Sequence, residues 1–171
     1  SLFPAILSAR QKSKPLYQDR LQKLYDLMVW GSVAVALPTT LLADWLIIIL
    51  YGTEFKEAAD VLRIYIWAGV FIFLGVASFK WLVAENLQHF SFYLYTIGSI
   101  VNIGCNWFLI PVYGINGAAF ATFVSYGIGS YGGFIIFRKS RSNFLMATQS
   151  FSPYGVYKRF ADRELLKNVD G

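Results

Sequence analysis

Apolar residues run through this chain in stretches cut by charges at wide intervals, and the intervals match the length of membrane-crossing helices. No charged residue occurs from Leu27 to Ala43, from Ile64 to Phe79, or from Phe90 to Phe137. A helix rising about 1.5 Å per residue needs about 20 mostly apolar residues to cross the hydrocarbon of a bilayer. The last interval is too long for one crossing. Pro111, Gly114 and Gly117 divide it, because proline stops one helix and glycines permit a tight reversal before the next. The pattern predicts spans near residues 24–43, 61–84, 90–110 and 116–137, the last two forming a hairpin. The expected fold class is all-α: a polytopic transmembrane helix bundle of about four full spans after the end of a fifth.

The opening, SLFPAILSARQKSK, places its basic residues after the apolar ones, the reverse of a secretory signal. It has the character of a helix already under way, and the expectation is a fragment of a longer protein. The segment WLIIILYGTEF, residues 45–55, is apolar but short. It is expected to be re-entrant or interfacial, or else the end of one long tilted helix over 24–50, kinked at Pro38. Residues 1–137 form the expected transmembrane bundle and residues 138–171 a basic cytoplasmic tail. Within that tail, VYKRFADRELLKNV (156–169) has a weak apolar periodicity that suits either a helix lying on anionic lipid or a solvated segment.

Composition agrees with an apolar solvent: 56% of the 171 residues are hydrophobic and 18% aromatic, beyond what a soluble domain carries. The net charge of +5 does not point to nucleic acid, because the cations are not interleaved along a groove. All of the fifteen lysines and arginines except Lys56, Arg63 and Lys80 lie before the first full span or after the last. An even number of spans puts both flanks on one side of the membrane, and the positive-inside rule makes that side cytoplasmic. The loop at 52–60 then faces outward and the loop at 84–89, with the single histidine, His89, faces inward. The lone Cys105 excludes a disulfide framework, and no metal-ligand spacing or cofactor motif is present.

Small residues recur every fourth place along the last span: Gly117, Ala121, Ser125, Gly129 and Gly133. They fall on one helical face and form a strip for close packing against another helix, because helices in lipid gain little from hiding apolar area and rely on backbone approach. Asn102 and Asn106, four apart, point the same way from the preceding span. They either glue helices together or line a polar cavity. Lys80 either snorkels to the interface or joins that cavity. Asp44 is an interfacial anchor or, as a further cavity candidate, an ion site.

Three stretches, LFPAILSAR, LYGTEF and NIGCNWFLIPVYGINGAAFAT, resemble the C-terminal half of the polysaccharide flippases, within the superfamily of multidrug, oligosaccharidyl-lipid and polysaccharide exporters. The resemblance covers about residues 1–137 and is carried chiefly by IPVYGINGAAFAT between two spans. It implies a complete protein of two bundles of about six helices each, enclosing a cavity that alternates between membrane faces. This chain would supply most of the second bundle, with an N-terminal bundle as its missing partner. No residue role is carried over.

The resemblance implies transport of a lipid-linked oligosaccharide across the inner (cytoplasmic) membrane for O-antigen, capsule or exopolysaccharide assembly. The alternatives are a cation-coupled multidrug antiporter, for which Asp44 and Asp26 are the carboxylates on offer, and a membrane scaffold without transport activity. Membrane lipid is the expected environment. Enzyme activity is not expected, because the sequence has no nucleophile and base set, phosphate loop or paired carboxylates.

Overall fold

The computed structural model describes the backbone of residues 2–159 and the side chains of residue 6 and of residues 8–159. The chain is all-helical, and no strand occurs among the described residues. The helices are α1 (Leu2–Lys12), α2 (Lys14–Leu41), α3 (Ala43–Tyr51), α4 (Ala58–Ala84), α5 (His89–Ser130) and α6 (Arg141–Ser150). Three apolar stretches are long enough to cross a membrane: α2, α4, and α5 with the short 3-10 turn that follows it. Only 22% of the apolar window in the third is buried inside the bundle, and Ile103, Trp107 and Phe108 stand exposed. Such an apolar surface requires cover by lipid or protein.

Helix α2 begins ten residues before the expected 24–43 span. Ser13 separates it from α1 in extended conformation, accepts from the Leu16 amide, and is followed closely by Pro15, whose fixed φ suits a first turn. In this first part of α2, Lys14 is exposed and Asp19, Arg20 and Lys23 are half-buried while Tyr17, Leu21 and Tyr25 are buried, so the charges lie within the helix and do not mark its start. At the other end, α2 stops at Leu41 and α3 starts at Ala43, with a single residue between them. Residues 45–51 therefore belong to a short helix of their own, and the helical run breaks at Leu42 where one long helix kinked at Pro38 would have continued. α3 packs Ala43 and Ile47 against Ala59 and Leu62 of α4 and leaves Trp45, Ile49 and Leu50 exposed. Helix α4 matches the expected 61–84 span closely.

Backbone geometry breaks inside α5 at Gly114, with φ 55° and ψ −134°, a conformation that suits glycine. The two arms fold back on one another. A Cβ on Gly117 would lie 2.4 Å from the Leu109 carbonyl oxygen, one on Gly98 3.3 Å from that of Ser125, and one on Gly133 2.6 Å from the Leu94 side chain. Gly117, Ala121, Ser125, Gly129 and Gly133 are all buried along this seam. The second arm ends earlier than the expected 137: α5 stops at Ser130, and Gly132–Ile135 tighten into a 3-10 turn where two adjacent glycines weaken the helix.

The main core gathers Ile6 and Ala9 of α1, Leu21, Tyr25 and Val29 of α2, Leu74, Ala77 and Trp81 of α4, and Leu94, Phe134 and Ala147. Residues 138–150 do not trail away. Ser140 is buried, its hydroxyl donating to the carbonyls of Phe134 and Phe137, and α6 lies against α2 with Asn143, Ala147 and Ser150 buried. Residues 160–169 of the tail segment, with Arg163 and Lys167, lie outside the described residues.

Candidate functional site

The close approach of the α5 arms creates a groove beside the seam. Gly98 and Gly129 have no side chains to fill it, and polar groups from both arms reach it instead. Asn102 Nδ2 donates to Ser125 Oγ across the seam at 3.2 Å, and Asn106 Nδ2 donates to Asn102 Oδ1 at 2.9 Å. The Ser125 hydroxyl in turn donates to the Thr122 carbonyl. The groove, about 500 Å³, is lined by Asn102 together with Ser99, Thr122, Ser125, Tyr95 and Tyr126 among others.

Asn102 thus bonds across the two arms and also lines the groove. Asn106 stands behind it and fixes its orientation. The Asn106 side-chain oxygen is buried with no partner among the described residues, a state that costs about 1–3 kcal/mol.

Lys80 belongs to an adjoining groove of about 250 Å³ on α4, lined also by Phe79, Gly75 and Ile72. Tyr95, Tyr126 and Ser130 line both grooves, so the two adjoin there, and the second is walled mainly by Ile72, Val76 and Phe79 with Lys80. The approach of α4 depends on Gly75, where a Cβ would sit 2.8 Å from Ser130 Oγ.

Asp44 does not join this constellation. It accepts a hydrogen bond from Arg63, whose other terminal nitrogen donates to Asp60 at 2.7 Å, and the three tie α3 to α4. An ion pair at a helix junction accounts for Asp44 as an anchor, and it lines neither groove.

A second polar assembly has no counterpart in the sequence expectations. Asp26, fully buried, receives a two-pronged hydrogen bond from Arg159, with Nε and a terminal nitrogen each 2.8 Å from a carboxylate oxygen. Gln22 Nε2 donates to Asp26, to the Met146 carbonyl and to Ser150 Oγ. Tyr25 donates to the Asn143 side-chain oxygen, and Trp30 Nε1 to the Ser150 carbonyl at 2.9 Å. These bonds fasten α6 and the segment after it to α2.

Chemically, the paired grooves offer hydroxyls, amides, two phenol rings and one ammonium group. Among the described residues lining them there is no carboxylate, histidine or cysteine to activate a nucleophile. The arrangement can hold a hydroxyl-rich ligand by hydrogen bonds and ring contact. No family model, curated protein or solved structure matches the chain.

Proposed function

We propose that this chain forms part of a membrane transporter that flips a lipid-linked oligosaccharide across the cytoplasmic membrane for surface polysaccharide assembly. The observation that carries the reading is the polar groove on an otherwise apolar hairpin. Sugar hydroxyls leaving water need hydrogen-bond partners, because an unpaired polar group in an apolar medium costs several kcal/mol. Ser99, Asn102, Thr122 and Ser125 supply such partners, and the Tyr95 and Tyr126 rings supply faces on which a sugar ring can rest. The lipid tail needs nothing from the protein, since it can stay in the bilayer. In this reading Lys80, in the adjoining groove, is the positive charge for a phosphate that joins sugar to lipid.

In this reading α5 contributes two spans, which with α2 and α4 makes four after α1. A second bundle, implied by the resemblance, closes the groove and lets it open to either side in turn. No bond is made or broken in the ligand, so no catalytic group is required. The antiporter alternative would use a carboxylate exposed to a cavity. Asp26 is paired with Arg159 and Asp44 with Arg63, and neither lines a groove.

The test is complementation in cells lacking their own polysaccharide flippase, using the chain completed with its second bundle. Surface glycan should return and cytoplasmic lipid-linked intermediate should fall. Ser99→Leu and Tyr126→Ala, which alter the groove without breaking a helix contact described above, should lower flipping roughly tenfold, the equivalent of one or two lost hydrogen bonds. Full activity in both variants would remove the groove from the mechanism.

A further inference from the structure

At the end of the bundle where α2 begins and α4 finishes, a groove of about 400 Å³ is lined by Arg10, Lys14, Tyr17, Trp81, Glu85 and Lys139. Its three cations come from α1, α2 and the turn at 138–140, so the fold assembles the cluster and no run of sequence does. The single carboxylate is already engaged: Glu85 receives Arg10 at 3.3 Å and the Tyr17 hydroxyl at 2.7 Å. Lys14 and Lys139 make no ion pair with the described residues. Two ammonium groups therefore stand over a concave site with no anion to match them. The wall beneath them is aromatic and buried, formed by Tyr17 and Trp81 at 6% and 4% exposure.

We infer that this groove is a phosphate site that takes the headgroup of an anionic phospholipid. A phosphate diester offers oxygens to both lysines and to the guanidinium, and charge-assisted bonds of this kind are the strong ones. The groove is larger than one phosphate and is walled in part by Tyr17, Leu21, Trp81 and Met146, which fits a headgroup together with its glycerol. Basic residues at a membrane surface attract anionic lipid by about a fivefold gain in occupancy each. The inference rests on the reading of the chain as a membrane bundle, and not on what the bundle transports.

The full chain is reconstituted in nanodiscs of mixed phosphatidylcholine and phosphatidylglycerol, released, and weighed by native mass spectrometry for the lipid that stays bound. The wild type should retain phosphatidylglycerol in preference to phosphatidylcholine. The double substitution Lys14→Gln with Lys139→Gln should reduce that preference about fivefold per lysine, with helix content by circular dichroism unchanged. Lys56→Gln, which removes one charge from the loop before α4, should leave the preference intact. Inorganic phosphate should not displace the lipid; if it does, the pocket belongs to a soluble phosphate and the lipid assignment falls. Equal retention of the two lipids by a wild type that inserts normally overturns the site alone. Failure to insert in any bilayer overturns the membrane reading and the site with it.

Discussion

Two helix interfaces in this molecule solve the same problem by opposite means. Between the arms of α5, side chains are removed: Gly98, Gly117 and Gly129 bring backbones together, Gly133 makes room for Leu94, and among the described residues one side-chain hydrogen bond, Asn102 to Ser125, crosses the seam. Between α2 and α6, polar side chains are packed in: Gln22, Tyr25, Asp26 and Trp30 reach across to Asn143, Ser150 and Arg159. Where helices pass through lipid the hydrophobic effect does not drive them together, so close approach over small residues has to supply the contact, whereas α6 lies beyond the long apolar stretches and is held by polar bonds. The glycine seam is indifferent to protonation and loses little when one hydrogen bond goes. The polar interface is specific in register, and it fails heavily when one partner is lost, because the other is left buried and unpaired.

The largest effect should therefore come from the polar side. Arg159→Met leaves the fully buried Asp26 carboxylate without its cation, and should cost about 3–5 kcal/mol in detergent unfolding monitored by circular dichroism. Asp26→Leu combined with Arg159→Met should recover most of that loss, since replacing both charges by apolar groups is often neutral. A double variant as unstable as Arg159→Met would show that the ion pair itself, and not the stranded charge, sets the cost.

On the glycine side, Gly117→Ala places a methyl group 2.4 Å from a backbone oxygen that cannot move aside cheaply, and should cost about 1–3 kcal/mol by the same assay. Gly104→Ala, in the same α5 but with nothing within 4 Å of the added carbon, should instead gain roughly 0.5–1 kcal/mol from helix propensity. Equal outcomes for the two glycines would mean that the arms do not meet at this seam.

The smallest effect belongs to the bond that links both strategies. Ser125→Ala removes the acceptor of Asn102 while keeping the small residue, and should cost about 0.6 kcal/mol, the average for hydrogen bonds between membrane helices. A loss of several kcal/mol would make the α5 seam a polar interface like the other.

Legibility in the sequence followed the distance between partners. The reversal at Gly114 and the strip from Gly117 to Gly133 are local, repeating and uncharged, and a period of four is visible without knowing what it packs against. Asn102 and Asn106 were equally plain, being one turn apart, although which of them faces open space depends on the arm beyond Gly114. The α2–α6 interface was hidden because its pairs are far apart along the chain: Tyr25 meets Asn143 across 118 positions, and Asp26 meets Arg159 across 133. Nothing near Asp26 marks it as a buried carboxylate, and residues after 138 carry the composition of a solvated tail. The start of α2 was missed for a different reason. Charges mark where an apolar span begins but not where a helix does, and Ser13 and Pro15 carry the local signal of the helix start.

Cysteine accessibility in sealed vesicles tests most directly whether these helices sit in a membrane with one polar groove open to water. Single cysteines replace Ser13, Ser142, Ser99 and Ile100 in turn, on a Cys105→Ser background of the full chain. Positions 13 and 142, one on each basic flank, should react with a membrane-impermeant maleimide from the same side. Ser99→Cys, in the groove, should react with a small impermeant reagent, and Ile100→Cys, exposed on the neighbouring apolar face, should stay inert. Reaction of positions 13 and 142 from opposite sides, or equal reaction at 99 and 100, would contradict the account.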